Sequence, residues 1–336
     1  MVDSSNRTGK SVIPARHCSW VRRWACNIAV LTLLAVLAAC SATEGAGAVT
    51  VPATYSTLTF FTPPPPAGTE VPPAPATVRF AVIGDFGDAG PAEEAVANLV
   101  KSWEPDFITT TGDNNYFNGK AETIDENIGQ YYHDYIAPYK GAYGAGADVN
   151  RFFPALGGHD WREPMAQPHI DYFTLPGNEY YYDVRWGPVH LFVLDSHDEQ
   201  PDGNTSDSVQ ARWLQETMAA SDAPWKVVVT HRPPYSSGDH GPSEHMRWPF
   251  QEWGASAVLS GNDHHYERIM VDGLPYFVNG LGGGRIYEFG DEEMEGSAVK
   301  FNGTHGAMLV EADAQVMRFR FITVGGETTD DFTLEK

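Results

Sequence analysis

The sequence predicts one α/β domain over residues 77–336, and three observations support this prediction. Two apolar runs at 77–84 and 106–111 bracket an amphipathic segment, as in a βαβ unit. Polar motifs rich in Asp and His follow the predicted strands, where open α/β sheets gather their ligands. No repeat of fixed period and no Pro/Ser linker divides this part of the chain.

Local signals define the first βαβ unit. The run from Thr77 to Gly84 is short, rich in β-branched residues and ended by glycine, which favours a buried strand. Pro91 occupies the first position of a predicted helix that continues over 92–103, where proline is favoured. One face of this helix is apolar and carries Ala95, Val96, Leu99 and Val100. We expect a right-handed crossover and parallel pairing of the two strands.

Further strands and one more long helix are predicted downstream. The strands are expected at 153–156, 189–194, 226–230 and 257–260, and the helix near 209–220. After Tyr276 the pattern changes to hairpins. The last hairpin strand alternates Val316, Arg318 and Arg320 with Met317, Phe319 and Phe321, so the two sets should face opposite sides.

The first 39 residues are predicted to be a signal peptide of the lipoprotein type. Arg16, Arg22 and Arg23 precede an apolar run at 28–39, and Cys40 follows it in a Leu-Ala-Ala-Cys sequence that resembles a bacterial lipobox. This predicts export to the bacterial cell envelope and a lipid anchor on Cys40. The alternative is an uncleaved N-terminal membrane anchor, although the run is shorter than the roughly 20 residues of a spanning helix.

Residues 40–76 are predicted to be a tether rich in Pro and Ala, with four consecutive prolines at 63–66. Cys18 and Cys26 precede the predicted cleavage point, so the mature chain would hold no thiol pair. The formal net charge of −22 and the absence of a basic cluster argue against nucleic acid as a partner. A small phosphorylated substrate would therefore need metal ions in order to bind. The sequence leaves the oligomeric state open.

Five polar motifs follow predicted strands, and each supplies Asp, His or Tyr. Each motif alone is weak evidence for a functional site, because Gly-Asp is common in turns. Together they point to a site for metal ions, since carboxylate and imidazole ligate divalent metals and iron. The motifs are Gly84-Asp85-Phe86-Gly87, Gly112-Asp113-Asn114-Asn115-Tyr116, Gly157-Gly158-His159-Asp160, Thr230-His231-Arg232 and Gly261-Asn262-Asp263-His264.

In order and content, these motifs resemble the signature of purple acid phosphatases over roughly residues 79–285. That resemblance implies a calcineurin-like metallophosphoesterase fold, a β-sandwich flanked by helices with ligands on loops at the carboxyl ends of strands. It implies a dinuclear metal centre. Asp85, Tyr116 and His264 would hold the first metal, Fe(III), and Asp113 would bridge to the second.

The resemblance also implies that the second metal position is damaged. His231 keeps its place, but Gly158 stands where the family has Asn, and Asn262 stands where it has His. Asn262 offers at best a weak amide oxygen, and Asp160 or Asp263 are possible substitutes. The second ion would be Fe(II), Zn or Mn, or the position would be empty.

His159 and Arg232 lie within the motifs, and His240 lies in Asp239-His240-Gly241-Pro242, which resembles the His-Gly-Pro segment of the small acid phosphatases. His159 and His240 would be the catalytic histidines that protonate the leaving oxygen, a role suited to the usual pKa of His. Arg232 would bind the substrate phosphate. The sequence therefore predicts a metal-dependent phosphomonoesterase. One alternative is a weakly active or inactive phosphate- or metal-binding lipoprotein of the same fold, and another is a surface adhesion or scaffold module.

Overall fold

The computed structural model describes residues 75–336. The predicted signal peptide, the lipidated Cys40 and nearly all of the tether lie outside the described residues. They stay predictions, which mass spectrometry of the first residue of the exported chain would test. Within 75–336, no helix has both the length and the apolar character that crossing a membrane requires.

Thirteen strands are present in residues 75–336. They are β1 (Val78–Ile83), β2 (Phe107–Thr110), β3 (Phe152–Pro154), β4 (Tyr182–Trp186), β5 (Val189–Val193), β6 (Trp225–Val229), β7 (Ala257–Ser260), β8 (Tyr266–Val271), β9 (Leu274–Asn279), β10 (Ser297–Phe301), β11 (Gly306–Ala312), β12 (Val316–Thr323) and β13 (Thr328–Glu335).

These strands form two mixed sheets. The first has the order β13-β12-β11-β1-β2-β3, and the second has the order β10-β8-β9-β7-β6-β5-β4. In the first sheet β1, β2 and β3 run parallel, as the βαβ pattern predicted. In the second sheet the parallel strands are β5, β6, β7 and β9. Each sheet therefore presents the carboxyl ends of several strands at one edge, where loops can converge.

Helices complete the domain. They are α1 (Pro91–Ser102), α2 (Ala121–Ile124), α3 (Gln130–Tyr132), α4 (Gln167–Tyr172), α5 (Val209–Ala220) and α6 (Phe250–Trp253). A π-helical stretch, Asp125–Gly129, joins α2 to α3, and 3₁₀ turns lie at His133–Tyr135, Asp160–Arg162, Pro164–Ala166 and Glu244–Met246. Helix α5 begins at a Ser208 cap, whose hydroxyl accepts the backbone N–H of Ala211.

The hydrophobic core lies between the two sheets, with a second cluster on the outer face of the second sheet. Strand β6 shows the division, because Val227 and Val229 pack in the central cluster with Phe80 of β1. Val228 points the other way and packs with Leu214 of α5. This alternation is the two-residue period of a strand that is buried on both faces. The predicted β-sandwich flanked by helices is thereby confirmed.

Most predicted elements occur within one or two residues of their expected bounds, and the alternation of β12 is confirmed by burial of Met317, Phe319 and Phe321. The third strand shows the largest of these differences, since β3 ends at Pro154, two residues before the end of the predicted run 153–156. Strand β4 and the β8–β9 hairpin were not predicted. The hairpins begin at Tyr266 rather than after Tyr276.

His169, in α4, gives the stability of the fold a pH dependence. Its ring is buried, neither ring nitrogen has a hydrogen-bond partner in residues 75–336, and it lies 4.7 Å from the ring of Phe173. Burial lowers the pKa of His169 from 6.5 to about 3. Below about pH 6.5 the unfolded chain therefore binds a proton that the folded chain does not bind. The free energy of unfolding decreases as the pH is lowered below this value.

We expect His169→Phe to remove this contribution. Below pH 6.5 the unfolding free energy of the wild type should fall more steeply than that of the variant, by about 1.4 kcal/mol per pH unit. Urea unfolding of both proteins at pH 7, 6 and 5 measures the two slopes. Parallel slopes would show that His169 takes up a proton in the folded state.

Candidate metal centre

Three turns of the same shape bring the candidate ligands to the strand ends. Asp85, Asp113 and Asn262 each follow a glycine and have positive φ angles of 55°, 52° and 67°. Asp and Asn tolerate this left-handed region better than most residues, and such strain clusters at functional sites. The preceding glycines leave room for the turns. A Cβ on Gly261, for example, would lie 2.4 Å from Oδ2 of Asp85.

Four side chains from three loops meet beyond β1, β2 and β7. Ligand atoms of Asp85, Asp113 and His264, all buried, lie within 4.8 Å of one another. The hydroxyl of Tyr116 lies 3.2 Å from Oδ2 of Asp113 and 3.0 Å from Nε2 of His264. Nε2 of His264 lies 3.5 Å from Oδ1 of Asp85. The four residues expected at the first metal position are therefore within reach of one ion.

The two histidines at this edge present the same ring nitrogen to the carboxylates. Nδ1 of His264 bonds to the carbonyl of Arg285, and Nδ1 of His231 bonds to the carbonyl of Thr111 at 2.8 Å. A carbonyl only accepts, so both Nδ1 atoms must donate, and the lone pair of each neutral ring is left on Nε2. Nε2 of His231 is buried, has no hydrogen-bond partner in residues 75–336 and lies 3.5 Å from Oδ1 of Asp113.

The protein concentrates negative charge around these atoms. Burial, with the neighbouring charge of Asp113, raises the pKa of Asp160 to about 7, and burial raises that of Asp195 to about 8. Burial and the same Asp113 carboxylate raise the pKa of the Tyr116 phenol well above its usual range. Burial alone would lower the pKa of His231, but Asp113 and other carboxylates raise it overall. A bound cation would relieve this charge.

Gly158 and Asn262 occupy the predicted second metal position. A Cβ on Gly158 would meet nothing within 4 Å, so an empty space faces the place where the family has an Asn side chain. Asn262 contacts Asp85 through its backbone N–H, at 3.0–3.1 Å from the carboxylate oxygens.

Asp160 and Asp263, the possible substitute ligands, have carboxylates that accept hydrogen bonds from other groups. Asp160 accepts the backbone N–H of Gly157 and the side-chain amide of Asn114, both at 2.8 Å. Asp263 accepts the hydroxyl of Ser236 at 2.5 Å and the backbone N–H of His240 at 2.8 Å. Both carboxylates hold loops in place through these hydrogen bonds.

The two expected catalytic histidines differ in how they approach the ligands. The backbone N–H of His159 donates to Asp113 Oδ1 at 2.8 Å, and its ring centroid lies 4.4 Å from that of Tyr116. His240 is exposed, and its ring lies 5.6 Å from that of Tyr287, which in turn stacks on His264 at 4.1 Å. His159 therefore borders the ligand cluster directly, whereas His240 reaches it through Tyr287.

The cleft beside the cluster has a volume of about 240 Å³. Arg232 is not among its lining residues, because the guanidinium of Arg232 binds the carboxylate of Asp198 at 2.9 Å. Arg285 lines the cleft instead. The lining residues are Asp88, Tyr116, Phe117, His159, His264, Gly284, Arg285 and Tyr287.

Sequence reasoning missed Arg285, Tyr287 and the buried Asp195. Arg285 and Tyr287 follow the glycine run 282–284, and Asp195 follows β5, so all three come shortly after strands of the parallel set. The rule applied to the other motifs would have found Asp195. It would have found Arg285 and Tyr287 only if β9 had been predicted as a parallel strand rather than as part of a hairpin region.

The donor set fits a metal ion of the hard or borderline class. Carboxylate oxygens, imidazole Nε2 lone pairs and a phenol converge in a buried space, and the Nε2 of His231 has no other partner there. The histidines are already held in the tautomer that a metal requires. For the second ion the fit is partial, since only Asp113 and His231 offer side chains that match the family pattern.

Comparison with known proteins agrees with this chemistry. A family model described as calcineurin-like phosphoesterase matches residues 78–266. Purple acid phosphatase 17 of Arabidopsis thaliana is 25% identical over 244 residues, 61% of this chain and 68% of that protein. Tartrate-resistant acid phosphatase type 5 of Rattus norvegicus is 25% identical over 250 residues, 62% of this chain and 74% of that protein. The resemblance inferred from the motifs is confirmed.

Solved structures share the fold. The purple acid phosphatase PPD1 from yellow lupin (Lupinus luteus) has a TM-score of 0.62 at 17% identity, over 77% of this chain and 54% of that chain. This chain therefore spans about half the length of the lupin protein. GAP50, described as the anchor in the inner membrane complex of Plasmodium, has a TM-score of 0.58 at 18% identity, over 77% of this chain and 89% of that chain.

Proposed function

Since this chain belongs to the calcineurin-like phosphoesterase family, we propose that it is a metal-dependent hydrolase of small phosphomonoesters with a weakened second metal position. One observation supports this above all others. Asp85, Asp113, Tyr116 and His264, far apart in the sequence, present their ligand atoms to a common point. A fold alone does not establish an activity, so the proposal depends on this site.

Each side chain has a defined task in the proposed reaction. Asp85, Tyr116 and His264 would hold the first metal, and Asp113 would be shared with a second ion held also by His231. When bound, metal ions supply positive charge against phosphate oxygens and lower the pKa of water. The first ion would be Fe(III), because a tyrosine oxygen favours that oxidation state, and the second would be Fe(II), Zn or Mn.

His159 is the proposed proton donor. It borders the cleft, and the carbonyl of Phe117 binds its Nδ1 at 2.7 Å, so Nδ1 donates and the ring is oriented. Nε2 lies 3.9 Å from Oδ2 of Asp113, on the side of the ligand cluster. A proton on Nε2 would therefore be placed to reach a leaving oxygen in the cleft. His240 lies further out and would act on larger leaving groups.

A second candidate function keeps the fold without efficient turnover. Gly158 and Asn262 favour it, because they remove or weaken two of the four side chains expected at the second ion. The protein would then bind phosphate or a single metal. A protein of this fold that is described as an anchor shows that the architecture also serves other purposes.

Elemental analysis with a visible spectrum tests the proposed site. We expect iron in the purified protein and a purple tyrosinate-to-iron absorption band, since Tyr116 touches the cluster. Tyr116→Phe should remove the band while much of the iron remains, because the other three ligands are unchanged. Activity is measured in parallel on an aryl phosphate across a range of pH. Iron-replete protein without turnover at any pH would contradict the catalytic proposal and favour the binding function.

A further inference from the structure

Arg285 is joined to the candidate metal site through its backbone. It follows the glycine run 282–284 beyond β9, and its carbonyl accepts the Nδ1 proton of His264. A Cβ on the neighbouring Gly284 would lie 2.7 Å from the carbonyl of Asp85, so the loop is packed against the first metal position. The side chain of Arg285 lines the same cleft as Tyr116 and His159.

The guanidinium of Arg285 has no partner within the described part of the chain. It makes no ion pair or hydrogen bond with any of residues 75–336, and the residue is exposed. By contrast Arg232, Arg268 and Arg318 each pair with a carboxylate. In a protein of formal net charge −22, an unpaired guanidinium beside the ligand cluster keeps all of its donors available for an anion.

With a weakly held second ion, this cleft needs more positive charge from protein side chains than a site with two well-held ions would need. A phosphomonoester carries about two negative charges, and the cluster itself contains buried carboxylates, including Asp85 and Asp113. Gly158 and Asn262 weaken the hold on the second cation. The fork of an arginine matches two phosphate oxygens and supplies a permanent positive charge.

We propose that Arg285 binds the phosphate group of the substrate and supplies part of the positive charge that the weakened second metal position lacks. This inference rests on the proposed function, since it assumes that phosphate occupies the cleft. It differs from the sequence-based prediction for Arg232, whose guanidinium pairs with Asp198.

Phosphate binding to the metal-loaded full chain tests the assignment. Isothermal titration with inorganic phosphate compares the wild type with Arg285→Ala, Arg285→Lys and the remote control Arg318→Ala. Loss of a hydrogen-bonded charge pair corresponds to about 10- to 100-fold in affinity, so Arg285→Ala should weaken phosphate binding by that factor. The phosphate affinity of Arg285→Lys should lie between those of the wild type and Arg285→Ala, because lysine keeps the positive charge but lacks the two-pronged guanidinium. Arg318→Ala should match the wild type.

Several outcomes would overturn the assignment. Unchanged phosphate affinity in Arg285→Ala would do so, as would a wild type that fails to bind phosphate, or a loss seen in Arg232→Ala instead. Steady-state kinetics on an aryl phosphate separates this inference from the proposed function. If the enzyme turns over the aryl phosphate but Arg285→Ala binds phosphate as tightly as the wild type, the inference is contradicted and the proposed function is not. Arg285-dependent phosphate binding without turnover supports the inference and contradicts the catalytic proposal.

Discussion

Asp113→Asn is expected to remove metal binding and to lower phosphatase turnover by more than about 100-fold. Asp113 lies at the centre of the site, with Oδ2 at 3.2 Å from the Tyr116 hydroxyl and Oδ1 at 3.5 Å from Nε2 of His231. It is the one side chain that would contact both ions. Changes outside the ligand shell already cost about 10- to 100-fold in affinity or activity, so loss of a shared ligand costs more.

The neutral amide that Asp113→Asn introduces would also place an NH2 group where a carboxylate oxygen now accepts. Oδ1 of Asp113 now accepts the backbone N–H of His159 at 2.8 Å, and Oδ2 faces the Tyr116 hydroxyl. The amide oxygen can still accept the His159 N–H, and the amide NH2 can donate to the Tyr116 hydroxyl, which accepts as well as donates. The effect therefore comes from loss of the carboxylate charge and of one metal-binding oxygen, while His159, the proposed proton donor, stays in place.

Metal content and thermal unfolding measure this effect independently of turnover. Added iron should raise the unfolding temperature of the wild type, because a ligand that binds only the folded state stabilises it. It should leave that of Asp113→Asn unchanged. The control is Asp331→Asn. Asp331 lies on β13, and its exposed carboxylate pairs with Arg318 of β12. This variant should bind metal as the wild type does. Normal iron content in Asp113→Asn would contradict the proposed ligand set.

The sequence predicted the parallel part of the fold because that part is encoded locally. β1, α1, β2, β5, β6, β7 and α5 are continuous periodic runs, and their burial follows from apolar patterning. Strand β9 was missed because Pro275 interrupts an otherwise apolar run, and proline argues against a central strand. The short segments α2 to α4 contain too few residues to establish a helical period.

The site was predictable where chemistry depends on chain position, and not where it depends on side-chain direction. The rule that ligands follow parallel strands located Asp85, Asp113 and His264, which do converge. Arg232 and Arg285 show the limit of that rule. Both follow parallel strands, but a carboxylate at Asp198 holds one guanidinium away from the cleft, and no such partner holds the other among residues 75–336. Long-range pairs of this kind leave no local sequence pattern.

The double variant Gly158→Asn with Asn262→His is expected to raise turnover by about 10- to 100-fold, the range that single partners around a metal commonly contribute. It restores the two side chains that the family pattern has at the second ion. The backbone is compatible with both changes. A side chain at 158 enters open space, and residue 262 keeps a φ of 67°, a conformation in which His is tolerated better than most residues.

The two changes should act together rather than separately. Each restored ligand gains value when the other also holds the ion, so the effect of the double variant should exceed the product of the single effects. Gly158→Ala is the matched control, since it adds a Cβ without a ligand and should leave turnover unchanged. The number of metal ions per chain should rise toward two in the double variant.

The opposite result has an equally specific meaning. If metal content is already two per chain in the wild type and the double variant gains nothing, the second ion is held by Asp113, His231 and atoms outside the family pattern. Because Asp160 and Asp263 are bonded to Asn114 and Ser236, such a site would require one of those bonds to break on metal binding. The weakened position would then be a rearranged one, and Arg285 would have no deficit of charge to offset.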